Sequence, residues 1–210
     1  MTTIVQLDRR AAALPAIRLA MLLTVLYGVP TALLASGIVP FRFRFHVLIG
    51  MSLAAALFSF FARHTTVDLG MRLGNLKRSL ILNGAFTAAV ITALWIVHSL
   101  RGVQRFPNTP SLGFYVFYVL ISCPTQEFIF RAFLWAELER SQITSATAQL
   151  FVMAVPFTLA HLVYRDTVTL LVTLVAGLGW AIIYRRAPNA FGVTLSHSLA
   201  GLATIAFGFI

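Results

Sequence analysis

Leu80–Ser99 reads LILNGAFTAAVITALWIVHS, an apolar stretch with no Asp, Glu, Lys or Arg. At about 1.5 Å of rise per residue, a helix of this length crosses the ~30 Å hydrocarbon layer of a bilayer. Six more apolar runs of spanning length lie around it, at about 13–36, 46–62, 113–135, 147–164, 167–184 and 190–209. Lipid supplies no hydrogen-bond partners, so a run of this kind closes its backbone bonds internally, as a helix. The expected architecture is all-α: a polytopic transmembrane helix bundle of about seven spans.

Composition agrees. Of 210 residues, 59% are hydrophobic and 10% charged, and the mean hydropathy is +0.88. A soluble domain of this size cannot bury that much apolar surface. The spans leave no room for a soluble domain and show no internal repeat, so residues 1–210 are expected to form a single integral membrane domain.

The chain carries 16 Lys and Arg against 6 Asp and Glu. In a soluble protein that excess would suggest nucleic acid, but here the basic residues sit between apolar runs, as topology determinants and anionic-lipid contacts. No nucleic-acid partner is expected. Arg9, Arg10, Arg63, Arg72, Lys77, Arg78, Arg140, Arg185 and Arg186 fall on the N-terminal side, and Arg42, Arg44, Arg101, Arg105 and Arg165 on the other. This bias places the N-terminus in the cytoplasm, in a plasma or inner membrane. Arg9 and Arg10 precede a run too long for a signal peptide, which reads as a retained first helix with Pro15 and Pro30 near its ends or at kinks. The connector Thr65–Ser79 suits the headgroup region, and the alternating Phe41–His46 suits aromatic anchoring with snorkelling arginines. Cys123, the one cysteine, excludes an internal disulfide and reads as a packing residue.

Ionisable residues inside spans are costly and point to function. Glu127 and Arg131, in Cys123-Pro-Thr-Gln-Glu-Phe-Ile-Phe-Arg131, stand four apart and can pair on one helix face. A structural ion pair is one reading and part of a site is the other. Gln126 is about 100° away round the helix, and Pro124 can loosen it. His161, one turn after Phe157, and His197 lie in two later spans. Either alone reads as a packing histidine. Together with the carboxylate, two imidazoles can activate water or bind a metal. His46, His64 and His98 lie at span edges and are expected to be interfacial without a catalytic role. Trp95, Trp135 and Trp180 fit aromatic belts or packing.

Three motifs occur in order: Gln126-Glu127-Phe-Ile-Phe-Arg131, Phe157-Thr-Leu-Ala-His161 and His197-Ser-Leu-Ala-Gly201. Over about 113–205 this resembles the CAAX-protease and bacteriocin-processing (CPBP, or Abi) family, whose motifs are Glu-Glu-x-x-x-Arg, Phe-x-x-x-His and His-x-x-x-Asn/Asp. The resemblance implies an intramembrane endopeptidase acting on a membrane-associated protein or peptide. The family's first glutamate and first histidine activate water, its last histidine and Asn sit at the oxyanion, and its second glutamate and arginine are structural or position substrate. Carried over, His161 assists water activation, His197 stabilises the oxyanion, and Glu127 pairs with Arg131.

Two positions depart from the pattern. Gln126 stands where the family has its usual base, and a neutral amide takes up no proton usefully. Gly201 stands in the Asn position, which removes an oxyanion donor of a kind worth about 10²–10³ in rate. Glu127 could then serve as base, Thr194, Ser196 or Ser198 could supply a donor, or the protein could be an inactive scaffold that still binds peptides. A small proton-coupled transporter using Glu127–Arg131 is a further alternative. The family has been described as both metal-dependent and glutamate-type. There is no His-Glu-x-x-His helix, so metal-free chemistry is expected, with Glu127, His161 and His197 as the zinc set otherwise. One conflict stands: with simple spans, His161 late in the fifth and His197 early in the seventh differ in depth by about 15 Å.

Overall fold

The protein is described by a computed structural model that defines residues 15–101 and 110–209. Arg9, Arg10 and Arg105, invoked above for topology, lie outside the described residues. Seven apolar helices follow one another: α1 Pro15–Ala35, α2 Phe41–Phe61, α3 Leu76–Leu100, α4 Leu112–Arg140, α5 Ala146–Tyr164, α6 Thr167–Arg186 and α7 Ala190–Ala206. No strand occurs among the described residues. The first six are long and apolar enough to cross a membrane; α7, expected at 190–209, is shorter. Outward-facing side chains are strongly apolar, with Leu100 83% and Phe60 75% exposed. Exposure on that scale requires lipid as the solvent, so this is an integral membrane protein.

The helix starts are written into the sequence. Ser111, Ser145, Asp166 and Asn189 cap α4, α5, α6 and α7, each accepting a first-turn backbone N–H. In the connector before α3, Thr65 and Asp68 cap one another: the Thr65 N–H donates to Asp68 Oδ2 at 2.8 Å and the Asp68 N–H to Thr65 Oγ1 at 3.1 Å. This connector is tied to the α6–α7 turn. Asn189 donates to the Arg72 carbonyl at 2.6 Å, and the Ala190 N–H to the Gly70 carbonyl at 2.9 Å. Gly70 has φ +67°, and a Cβ there would collide with the Tyr184 hydroxyl, so glycine is required.

Helix α4 runs through the core. The expected run 113–135 stops five residues short of its end at Arg140. The extension carries Glu137, Glu139 and Arg140, whose charges look like a loop in the sequence. In the structure Glu137 is buried against Arg18 and His64, and Arg140 donates to the Ala62 and Arg63 carbonyls at 2.6 and 3.2 Å. Two stretches of α4, Tyr118–Ser122 and Phe128–Phe133, are π-helical and flank the Pro124-containing turn. Such widened turns free backbone groups and are frequent at functional sites. Neighbours take up the carbonyls: Tyr27 donates to Ile129 O at 2.6 Å and Ser52 to Thr125 O at 3.3 Å. Phe130 and Phe133 of α4 share a core with Tyr27, Phe157, Trp180 and Tyr184, all buried. Helix α7 lies against α3 and α4, and α6 against α5. The α3–α7 seam is narrow because Gly192 leaves space for Ser79.

Candidate active site

Glu127 and Arg131 pair as their spacing predicts. Both side chains are fully buried, with Arg131 Nη1 3.2 Å from Glu127 Oε1. The guanidinium is also held between ring faces, 4.2 Å from the centroid of Phe157 and 5.4 Å from that of Trp180. An arginine is tolerable at this depth only because opposite charge and π-faces replace its water.

His197 completes the group from α7. Its Nδ1 lies 2.6 Å from the same Glu127 Oε1, a short charge-assisted hydrogen bond. A carboxylate only accepts, so Nδ1 carries the proton and the bond fixes the ring's orientation. Trp180 stacks on the imidazole at 4.6 Å and 26°. Trp180 in turn donates its N–H to Ser196 Oγ at 2.9 Å, and Ser196 meets Thr87 Oγ1 at 2.6 Å. Glu127 and this small polar chain together lock the imidazole.

His161 stands where the α-helical part of α5 ends at Ala160 and tightens into the 3₁₀ turn His161–Tyr164. Its Nδ1 donates to the Phe157 carbonyl at 2.8 Å, which turns the ring back along α5 and leaves Nε2 as a free acceptor. The two imidazoles share one anchor: Phe157 lies 4.8 Å from His161 and 5.6 Å from His197, centroid to centroid. Both line a single cavity of about 70 Å³, open at its mouth, among α3, α4, α5, α6 and α7. The depth conflict expected from helix heights is thereby resolved, since both rings contact Phe157 and line the same cavity.

The remaining sequence candidates separate. Gln126, about 100° from Glu127, faces a second cavity of about 70 Å³, between α1, α2, α4 and α5, and donates to Ser122 Oγ at 3.0 Å. His161 lines both cavities, so it forms part of the wall between them. Gly201 lines the cavity of the two histidines, beside Tyr118. Of the substitute donors considered, Ser196 is taken up by Thr87 and Trp180, while Thr194 and Ser198 line a different groove with Pro124 and Phe128. Cys123 is buried and unoxidised, as a packing residue should be. His98 stacks on Phe207 at 5.3 Å. His64, expected at the interface, has a fully buried side chain 3.0 Å from Glu137 Oε1. Its pairing with a carboxylate 73 positions away leaves no local sequence signal.

Of the zinc set considered from the sequence, Glu127 Oε1 and His197 Nδ1 face one another, and the Arg131 guanidinium sits 3.2 Å from the same carboxylate oxygen. Among the described residues no group of three or more His, Cys, Asp or Glu could hold a metal ion.

Residues 107–203 match the family model described as type II CAAX prenyl endopeptidase Rce1-like. No curated protein and no solved structure matches the chain.

Proposed function

Over residues 107–203 the chain belongs to the CPBP family of intramembrane proteases, and on that premise we propose that it is an active endopeptidase hydrolysing a peptide bond of a membrane-associated protein or peptide. The observation that carries this reading is the meeting of His161 and His197 at one cavity, each with Nδ1 already engaged. With Gln126 unable to act as base, the free Nε2 of His161 takes that role. It accepts a proton from water as the water oxygen attacks the scissile carbonyl carbon. His197 acts in its doubly protonated form, with Nδ1–H on the Glu127 carboxylate and Nε2–H donating to the developing oxyanion. His161 then returns its proton to the amine nitrogen as the C–N bond breaks. Glu127 acts here as a positioning residue: buried, paired with Arg131 and bound to His197, it orients the ring and balances its charge. No metal enters the scheme.

The test uses purified protein reconstituted in vesicles with a fluorescence-quenched farnesylated CAAX peptide and, separately, a peptide tethered by a transmembrane helix. Wild type is expected to cleave at least one of them, insensitively to chelator. His161→Ala and His197→Ala are expected to abolish cleavage, and Glu127→Gln to lower kcat about 10²-fold or more. A wild type that cleaves neither, while Gln126→Glu creates activity, would favour the second reading, a non-catalytic peptide binder. Gln126 is the residue that favours it, because its amide is tied to Ser122 and stands in the family's base position.

A further inference from the structure

Gly201 removes a side chain from the active-site cavity, and the structure fills the space it leaves. A Cβ built on Gly201 would collide with the Tyr118 hydroxyl and lie 2.6 Å from Tyr118 Cζ and 2.8 Å from Cε1. The phenol from α4 therefore occupies the volume into which any side chain at position 201, one turn after His197, would project. Tyr118 begins the first π-helical stretch of α4, is buried, and stands edge-on to His197 with centroids 6.3 Å apart at 79°. It lines the same cavity as His161, His197 and Gly201.

The other donors around that cavity are committed. Thr204 donates to Ala200 O at 2.7 Å, Thr173 to Leu170 O at 3.1 Å, Thr169 to Asp166 Oδ2 at 2.6 Å and the Trp180 N–H to Ser196. The Tyr118 hydroxyl has the Cys123 thiol beside it, and sulfur is a weak acceptor that an oxyanion outcompetes.

We infer that Tyr118 is a catalytic residue of this enzyme: its hydroxyl donates the second hydrogen bond to the oxyanion, across from His197, in place of a side chain at Gly201. The inference rests on the peptidase reading above. When water adds to the carbonyl carbon, the C=O pair moves onto oxygen, and that oxygen accepts hydrogen bonds from His197 Nε2–H and Tyr118 O–H. Tyr118 keeps its proton throughout, and the bond weakens again when the carbonyl re-forms and the amine leaves. A phenol supplied by another helix fixes the oxyanion's position relative to α4 as well as α7, so the spacing between these helices becomes part of the transition-state fit.

Cleavage of the same two peptides by reconstituted variants tests this. Tyr118→Phe keeps the ring and should keep the wild-type unfolding midpoint. Its kcat is expected to fall about 10²–10³-fold, with KM within about twofold. Gly201→Asn alone should lose activity because the space is taken. In Tyr118→Ala the cavity opens, and adding Gly201→Asn to that variant should restore cleavage at least about tenfold over Tyr118→Ala. An active wild type with Tyr118→Phe unchanged in kcat overturns the role of Tyr118 and leaves the peptidase intact. Loss in Tyr118→Phe that appears in KM alone, with no rescue by Gly201→Asn, also overturns it. A wild type that cleaves neither peptide overturns both readings together.

Discussion

Helix α4 carries two buried carboxylates ten residues apart, Glu127 and Glu137, and each has recruited one imidazole and one guanidinium. At Glu127 the partners are Arg131, one turn along the same helix, and His197 from α7. At Glu137 they are Arg18 from α1, at 2.8 Å, and His64 from the α2–α3 connector, at 3.0 Å. The chemistry is nearly the same and the surroundings are not. His197 is stacked on Trp180 and lines a cavity that a second histidine shares. His64 has its other nitrogen on Ser59 Oγ at 3.3 Å and its ring against Phe133. Arg18 is 35% exposed, whereas Arg131 is fully buried. A carboxylate–imidazole pair in a membrane protein is thus no site by itself. At the helix end it pins α1, the α2–α3 connector and α4 together. At mid-helix, it orients an imidazole that lines an open cavity.

The comparison breaks most visibly if the two histidines respond alike. His197→Ala is expected to lower kcat/KM about 10²–10⁴-fold, while His64→Ala stays within about threefold in the same vesicles. Equal losses would merge the clusters into one functional unit. Stability should separate the arginines next. Arg131→Met leaves a fully buried carboxylate unpaired and is expected to cost about 3–5 kcal/mol in detergent-micelle unfolding. Arg18→Met removes a partner that was already partly in solvent and leaves Glu137 with His64, and should cost about 1 kcal/mol or less. Equal costs would mean that the Glu137 group is as dry as the Glu127 group.

The smallest expected effect is on pH dependence. Burial, followed by the charges of Arg140 and Arg18, lowers the His64 pKa from its usual 6.5 to about 4, against an upward pull from Asp68. The folded protein therefore binds fewer protons than the unfolded chain between these values, and stability falls as pH drops from about 6.5 towards 4. Asp68 adds in the same sense at lower pH: the Thr65 N–H holds its carboxyl below the usual value, a stabilisation lost as it protonates. His64→Gln should flatten the slope of the unfolding midpoint between pH 6.5 and 4. An unchanged slope would move its origin elsewhere.

Much of this was legible before any coordinates. Seven apolar runs, the i,i+4 spacing of Glu127 and Arg131, and the two late histidines are local features, and local features survive as sequence patterns. The angle between Gln126 and Glu127 was legible too: Gln126 faces the second cavity while Glu127 turns to His197 and Arg131. What sequence could not supply was pairing over distance. Glu137 and Arg140 looked like the start of a loop because Arg18, His64 and the Ala62 and Arg63 carbonyls that hold them lie far away in the chain. Gly201 looked like a missing function because the phenol filling its space is 83 positions earlier. Helix heights alone set His161 and His197 apart, since rise per residue says nothing of where a ring turns or of the Phe157 side chain both rings contact.

The account turns on access: His161 and His197 face an open cavity, and His64 is sealed against Glu137. Carbethoxylation of the reconstituted wild type by diethyl pyrocarbonate, read by peptide mass spectrometry, measures this residue by residue. Label on His161, rising in step with loss of cleavage and with His64 unmarked, is the expected result. Label on His64 with His161 untouched would contradict it.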